Sequence, residues 1–160
     1  MSDGTVIAGL ARYTVANSSS ASFPALTPAA SPSGALIGPK NTASFITIVP
    51  FGTGTANTTF SFRVIAIEQS PQKDTTFFRP LAEFACTLGT QTGATGLLVE
   101  ATEKFVDTIA QTYGATSCRV VSPEDNTSAY VVMDMEGAER IRIDFDMTGA
   151  TDGNVLYKLI

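Results

Sequence analysis

Arg140-Ile-Arg-Ile-Asp-Phe-Asp-Met147 alternates strictly: Ile141, Ile143, Phe145 and Met147 fall on one side, Arg140, Arg142, Asp144 and Asp146 on the other. Successive side chains of a strand point to opposite faces, so a period of two serves a strand. The stretch predicts a sheet with one packed face and one wet face. Its four charges are candidate site residues, either for chemistry or for contact with a neighbouring subunit.

The rest of the chain extends this reading. Thr is abundant and joins Val, Ile, Phe and Tyr in favouring strands, while Gly and Pro recur at intervals suited to turns. Ser44 to Pro50 and Thr59 to Glu68 are β-branched, apolar runs around a Gly-rich tip with Thr53, Asn57 and Thr58, and they read as a hairpin. In the second run Phe60, Phe62, Val64 and Ala66 oppose Ser61, Arg63, Ile65 and Ile67, so this strand runs from a half-exposed rim into a core. Leu81 to Leu88 and Gly96 to Glu100 give two more strands around a turn at Gly89 to Gly93. Residues Glu100 to Tyr113 fit both periods, since Phe105, Ile109 and Tyr113 recur at helical spacing; the sheet-rich surroundings and β-branched content favour a strand.

Cys118 to Val121 and Ser128 to Asp134 flank the turn formers Ser122 to Thr127 and read as a second hairpin. A tight turn at Glu136-Gly137 introduces the opening stretch, and Val155 to Ile160 closes the chain. With a first strand over Thr5 to Val15, the sum is about ten short strands. That predicts an all-β, antiparallel β-sandwich of jelly-roll-like form, a single domain over 1–160. Asn17 to Gly34 is rich in Ser and Ala and contains Pro24, Pro28 and Pro32, which can propagate neither a helix nor a central strand. This extended Pro/Ser/Ala-rich N-terminal segment, residues 17–34, is a long loop or an arm ordering on a neighbouring subunit through Phe23 and Leu26.

Composition narrows the function classes. There is no His and no Trp, which removes the commonest general base and transition-metal ligand. A net charge of -5 with scattered Lys and Arg argues against a nucleic-acid groove. No stretch approaches the roughly 20 apolar residues of a membrane helix, and the first residues lack the basic start of a signal peptide, so folding in a cytoplasm is expected. Cys86 and Cys118 are too far apart in sequence for a CxxC motif and read as reduced, buried small hydrophobes, with a disulfide between them as the alternative.

No constellation spells out an enzyme. Asp144 to Asp152 matches the first nine positions of a calcium loop, but position twelve is Val155 and flanking helices are missing, so no metal is expected. Glu100, Glu103, Asp107, Glu124 and Asp125 sit beside turn formers or other charges, a poor setting for a carboxylic acid of raised pKa. The glycines at Gly52 and Gly54 lack the GK[ST] and following helix of a phosphate loop. Polar tips can bind sugars over an aromatic platform, but Tyr13, Tyr113, Tyr130 and Tyr157 are dispersed. The reading is of a non-enzymatic protein without cofactors.

Three segments carry a resemblance: Ile48 to Ile65, Cys86-Thr-Leu-Gly89, and Ala138 to Tyr157. Together, within the chain from about residue 43 onward, they resemble a family of tailed-bacteriophage virion proteins, small β-rich proteins of the head. The resemblance implies a capsid decoration or cement protein on the outside of the shell, often a homotrimer, that clamps the major capsid protein. It implies location in the virion and no nucleic-acid or membrane partner. An alternative within the same fold is receptor or glycan binding by a tail or head appendage, with Thr53, Asn57 and Thr58 at the contact. Under either reading Phe23, Leu26, Arg140, Arg142, Asp144 and Asp146 are candidates for protein contact.

Overall fold

The computed structural model describes residues 14–18, 23, 35–37, 44–69, 76–93, 102–114, 118–121, 129–138, 140–147 and 152–160. They form ten strands with antiparallel pairing throughout, and no helix occurs among them. In chain order these are β1 (Thr14–Ser18), β2 (Ala35–Ile37), β3 (Phe45–Thr53), β4 (Thr59–Gln69), β5 (Thr76–Thr92), β6 (Lys104–Gly114), β7 (Cys118–Val121), β8 (Tyr130–Asp134), β9 (Arg140–Asp146) and β10 (Asp152–Leu159). The strand order is β1-β10-β3-β6-β5-β4-β9-β2, with β8 also pairing β3 and β7 pairing β8.

Strands from both halves of this path feed one apolar cluster. Ile46 and Ile48 of β3, Phe62 and Val64 of β4, Phe84 and Cys86 of β5, Val131 of β8, Ile143 and Phe145 of β9 and Val155 of β10 all belong to it. Strands so distant in the order can share one core only if the sheet curls, and its end strands β1 and β2 do approach one another. The expectation for β4 holds: Phe60 to Ile67 passes from alternating burial to burial on both faces. Residues 104–114 are a strand, which resolves their two possible periods. The pairing of β7 with β8 is also as expected.

Two connections depart from expectation. β3 and β4 are not a hairpin: β3 pairs β10, β6 and β8, whereas β4 pairs β5 and β9. The Gly-rich segment between them therefore crosses from one part of the sheet to another. It is held there because Asn57 N–H donates to the Leu88 carbonyl (2.8 Å) and Leu88 N–H to that of Thr58 (2.9 Å). The turn expected at residues 89–93 instead lies largely inside β5, which runs to Thr92. Of the strand expected over Thr5 to Val15 only Thr14 and Val15 are described, and they belong to β1, which also takes in Asn17 and Ser18, expected in the extended segment 17–34. The rest of that strand, the strand expected over Gly96 to Glu100, and Leu26 lie outside the described residues.

Candidate functional site

The opening stretch is β9, and it is buried on both faces. Ile141, Ile143 and Phe145 enter the core as expected. The opposite face is not wet: Arg142 and Asp144 are both 0% exposed, and only Arg140 and Asp146, at the strand ends, are partly open. This corrects the reading of a solvated charged row, and the register explains it.

Directly opposed residues in antiparallel strands share a face. Asp144 stands opposite Arg63 of β4, and Arg63 opposite Glu83 of β5, so charges alternate across three strands. One row along, Arg142 faces Ile65, which is fully buried, and in the next Ile67 faces Phe78. The Arg142 guanidinium lies 4.8 Å from the centre of the Phe78 ring. Phe23, expected as an anchor on a neighbour, places its ring 4.5 Å from the Arg63 guanidinium of its own chain. Aromatic faces of this kind attract a desolvated cation.

Within the cluster, Arg63 Nε donates to Asp144 Oδ2 at 3.1 Å and Arg142 Nη2 donates to the same oxygen at 3.0 Å. Arg142 Nε stands 2.8 Å from Asp144 Oδ1, an ion-pair distance, but without hydrogen-bond geometry, and Nη1 has no partner among the described residues. One carboxylate is thus engaged by two guanidiniums, out of reach of solvent on the Arg142 side. The arrangement joins β4 to β9 and presents no accessible acid, base or nucleophile. No group of three potential metal-ligating side chains occurs among the described residues.

The tip residues Thr53, Asn57 and Thr58 lie apart from this cluster, on the crossing segment and its approach. Thr58 Oγ1 donates to the Thr55 carbonyl at 2.7 Å, and Asn57 takes the left-handed conformation (φ 69°). Their polar groups thus serve partly to shape the crossing.

A second constellation went unnoticed in the sequence. An open groove of about 530 Å³ is lined by Arg79, Pro80, Leu81, Tyr113, Gly114 and Glu136. β6 pairs β5 with Tyr113 opposite Glu83 and Gln111 opposite Phe84, so Thr112 is an extra residue that re-aims Tyr113. Tyr113 is 55% exposed. Arg79 forms the other side, donating through Nη2 to Glu68 Oε1 (2.8 Å) and through Nη1 to Glu136 Oε2 (2.9 Å). Its Nη2 also reaches the Glu136 carbonyl at 3.2 Å.

Glu136 occupies the turn between β8 and β9, with φ 50° there and 74° at Gly137, closed by Ala138 N–H donating to the Met135 carbonyl. The Glu136-Gly137 turn was legible in the sequence; its sharing a groove with Tyr113 was not, because β5 links them, pairing with β6 on one side and reaching Glu136 through Arg79 on the other, and no local pattern announces either contact.

Cys86 sits in the core and Cys118 on β7, both free thiols. Burial pushes the Cys86 thiol well above its ordinary range and raises that of Cys118 as well. Comparisons with models of protein families, with curated proteins and with solved structures return no match for this chain.

Proposed function

We propose that this chain is a virion structural protein, a capsid decoration protein that binds the outer surface of the major capsid protein lattice of a tailed bacteriophage and stabilises it. In this reading the curled sheet is a jelly-roll-like sandwich, the protein assembles as a homotrimer, and its work is done by contact surfaces. The observation that supports it is an outward apolar pair. Phe45 and Ile160 exchange both backbone hydrogen bonds, at 3.1 and 2.9 Å, which sets their side chains together on one face, where they are 44% and 60% exposed. Large apolar groups side by side on a rigid sheet are candidates for the centre of a contact with another protein, and repetition over a lattice turns weak contacts into firm retention.

Rebinding tests the proposal. Purified protein should bind capsids lacking it and raise their disruption temperature, and Phe45→Asp should reduce binding while leaving the protein's own melt nearly unchanged. Failure of the parent protein to bind such capsids at micromolar concentration removes the proposal.

A further inference from the structure

We propose that the groove between Tyr113 and the Arg79–Glu136 pair binds a neutral saccharide. Such a ligand needs apolar ring surface for its C–H face and fixed, planar hydrogen-bonding groups for its hydroxyls, in a concavity of suitable size. The groove has each. Tyr113, 55% exposed as a residue, supplies the aromatic side, and the partly buried Pro80 supplies apolar wall, with Leu81 beneath it belonging to the core. The volume of about 530 Å³ lies within the roughly 300–1,000 Å³ of small-ligand sites.

The polar side is held in place before any ligand arrives. Three hydrogen bonds, from Nη1 and Nη2 to Glu68 and Glu136, fix the Arg79 guanidinium. Glu136 is held by Arg79 and by its own backbone N–H, which donates to Asp134 Oδ1 at 2.6 Å. Glu136 binds Arg79 through Oε2, so Oε1 remains to accept from a sugar hydroxyl, and the Arg79 Nε–H remains to donate to one.

Charge selects against other ligands. Arg79 is already paired with two carboxylates, Glu136 in the groove and Glu68 beside it, so the groove offers no uncompensated cation to a phosphate, a sialic acid or an acidic peptide. Gly114 lets β6 end close against β5 beside the groove: at φ +130° its Cβ would stand 2.6 Å from the Leu81 carbonyl oxygen. The tyrosines looked too dispersed in sequence to form a platform, but one is enough when a fixed ion pair faces it. The proposal does not depend on shell binding, since the groove and the Phe45–Ile160 face use different residues.

The test is saturation-transfer NMR on the full chain with methyl glycosides of glucose, galactose, mannose and N-acetylglucosamine and their short oligomers at millimolar concentration. Transfer to at least one neutral sugar is expected, with none to sialyllactose. Tyr113→Ala should weaken binding by roughly tenfold or more with the thermal melt unchanged, because the side chain is largely exposed. Glu136→Gln should weaken it while Asn57→Ala at the distant tip leaves it alone. Absence of transfer to every neutral sugar overturns the assignment. Binding that survives Tyr113→Ala, or transfer to basic or proline-rich peptides without transfer to sugars, overturns it too.

Discussion

Asp144 is the residue on which the buried cluster turns, because both guanidiniums use its carboxylate. Removing one partner of a buried ion pair leaves the other charged and desolvated, which costs about 3–5 kcal/mol. Asp144→Ala should lose stability on that scale in urea unfolding, since Arg142 has no route to solvent at 0% exposure. Arg63, whose side chain is 14% exposed and faces Glu83, has other recourse, so Arg63→Met should cost less. Replacing the inner pair together, as Arg142→Met with Asp144→Leu, should return stability to the parent value or exceed it, because well-packed apolar side chains of similar volume often match a buried pair. An Asp144→Ala protein that unfolds at the parent's urea midpoint would sink the claim that the cluster is cohesive. The alternation in the sequence said correctly which residues share each face of β9. Whether the charged face is covered depends on Phe78 and Phe23, which lie far away in the chain, and periodicity carries no information about them.

At the level of strands, the sequence revealed where extended segments lie more readily than which segments pair. Several strands are written in their own residues, as in the β-branched run of β4, the alternation of β9 and the turn formers between β7 and β8, whereas the three-residue β2 is not. Pairing is a property of two segments, and the glycines at 52 and 54 serve a crossing as readily as a hairpin. β6 was ambiguous because its bulges at Asp107 and Thr112 disturb the period of two that would have identified it. The glycine that ends β6 gives the strand-level prediction. A side chain at Gly114 meets the β5 backbone at Leu81 and Ala82, and the conformation at φ +130° is strained as well, so Gly114→Ala should cost about 1–3 kcal/mol or more. At Gly137, where φ is +74° and nothing lies within 4 Å, only the left-handed backbone resists, and Gly137→Ala should cost about 1–2 kcal/mol. At Gly153 the added Cβ would meet the thioether of Met147 at 2.6 Å. The Phe60 ring stands 3.0 Å away on the same side, so Gly153→Ala should cost stability, and it should cost less in a Met147→Ala background, itself weakened by loss of a core side chain, than in the parent. Denaturant midpoints for the set check the order, and a Gly114→Ala protein more stable than Gly137→Ala would contradict the packing of β6 against β5.

At the scale of the molecule, the described residues form one curled sheet around one core, so a probe of that core reports global opening, and Cys86 is that probe. Its thiol is 0% exposed and surrounded by the apolar cluster, while Cys118 on β7 is only partly buried. The thiolate is the reactive form, and burial raises the pKa of both thiols above the ordinary 9.0, that of Cys86 further. An aromatic disulfide reagent in native buffer should therefore modify Cys118 first and slowly, and Cys86 only at the rate of unfolding, with both reacting at once in denaturant. The same shift sets a pH dependence. Because the folded thiol holds its proton to higher pH than the unfolded one, its contribution is fully present below about pH 9, where the unfolded thiol begins to ionise. Above that the unfolded state binds fewer protons, and stability falls by up to about 1.4 kcal/mol per pH unit for each such thiol until the folded thiol also ionises. The informative quantity is the difference in slope between the parent and Cys86→Ala, and the variant should decline less steeply above pH 9. Equal slopes would mean that burial does not raise the Cys86 pKa, and Cys86 reacting as fast as Cys118 under native conditions would mean that this part of the core opens independently of the rest of the sheet.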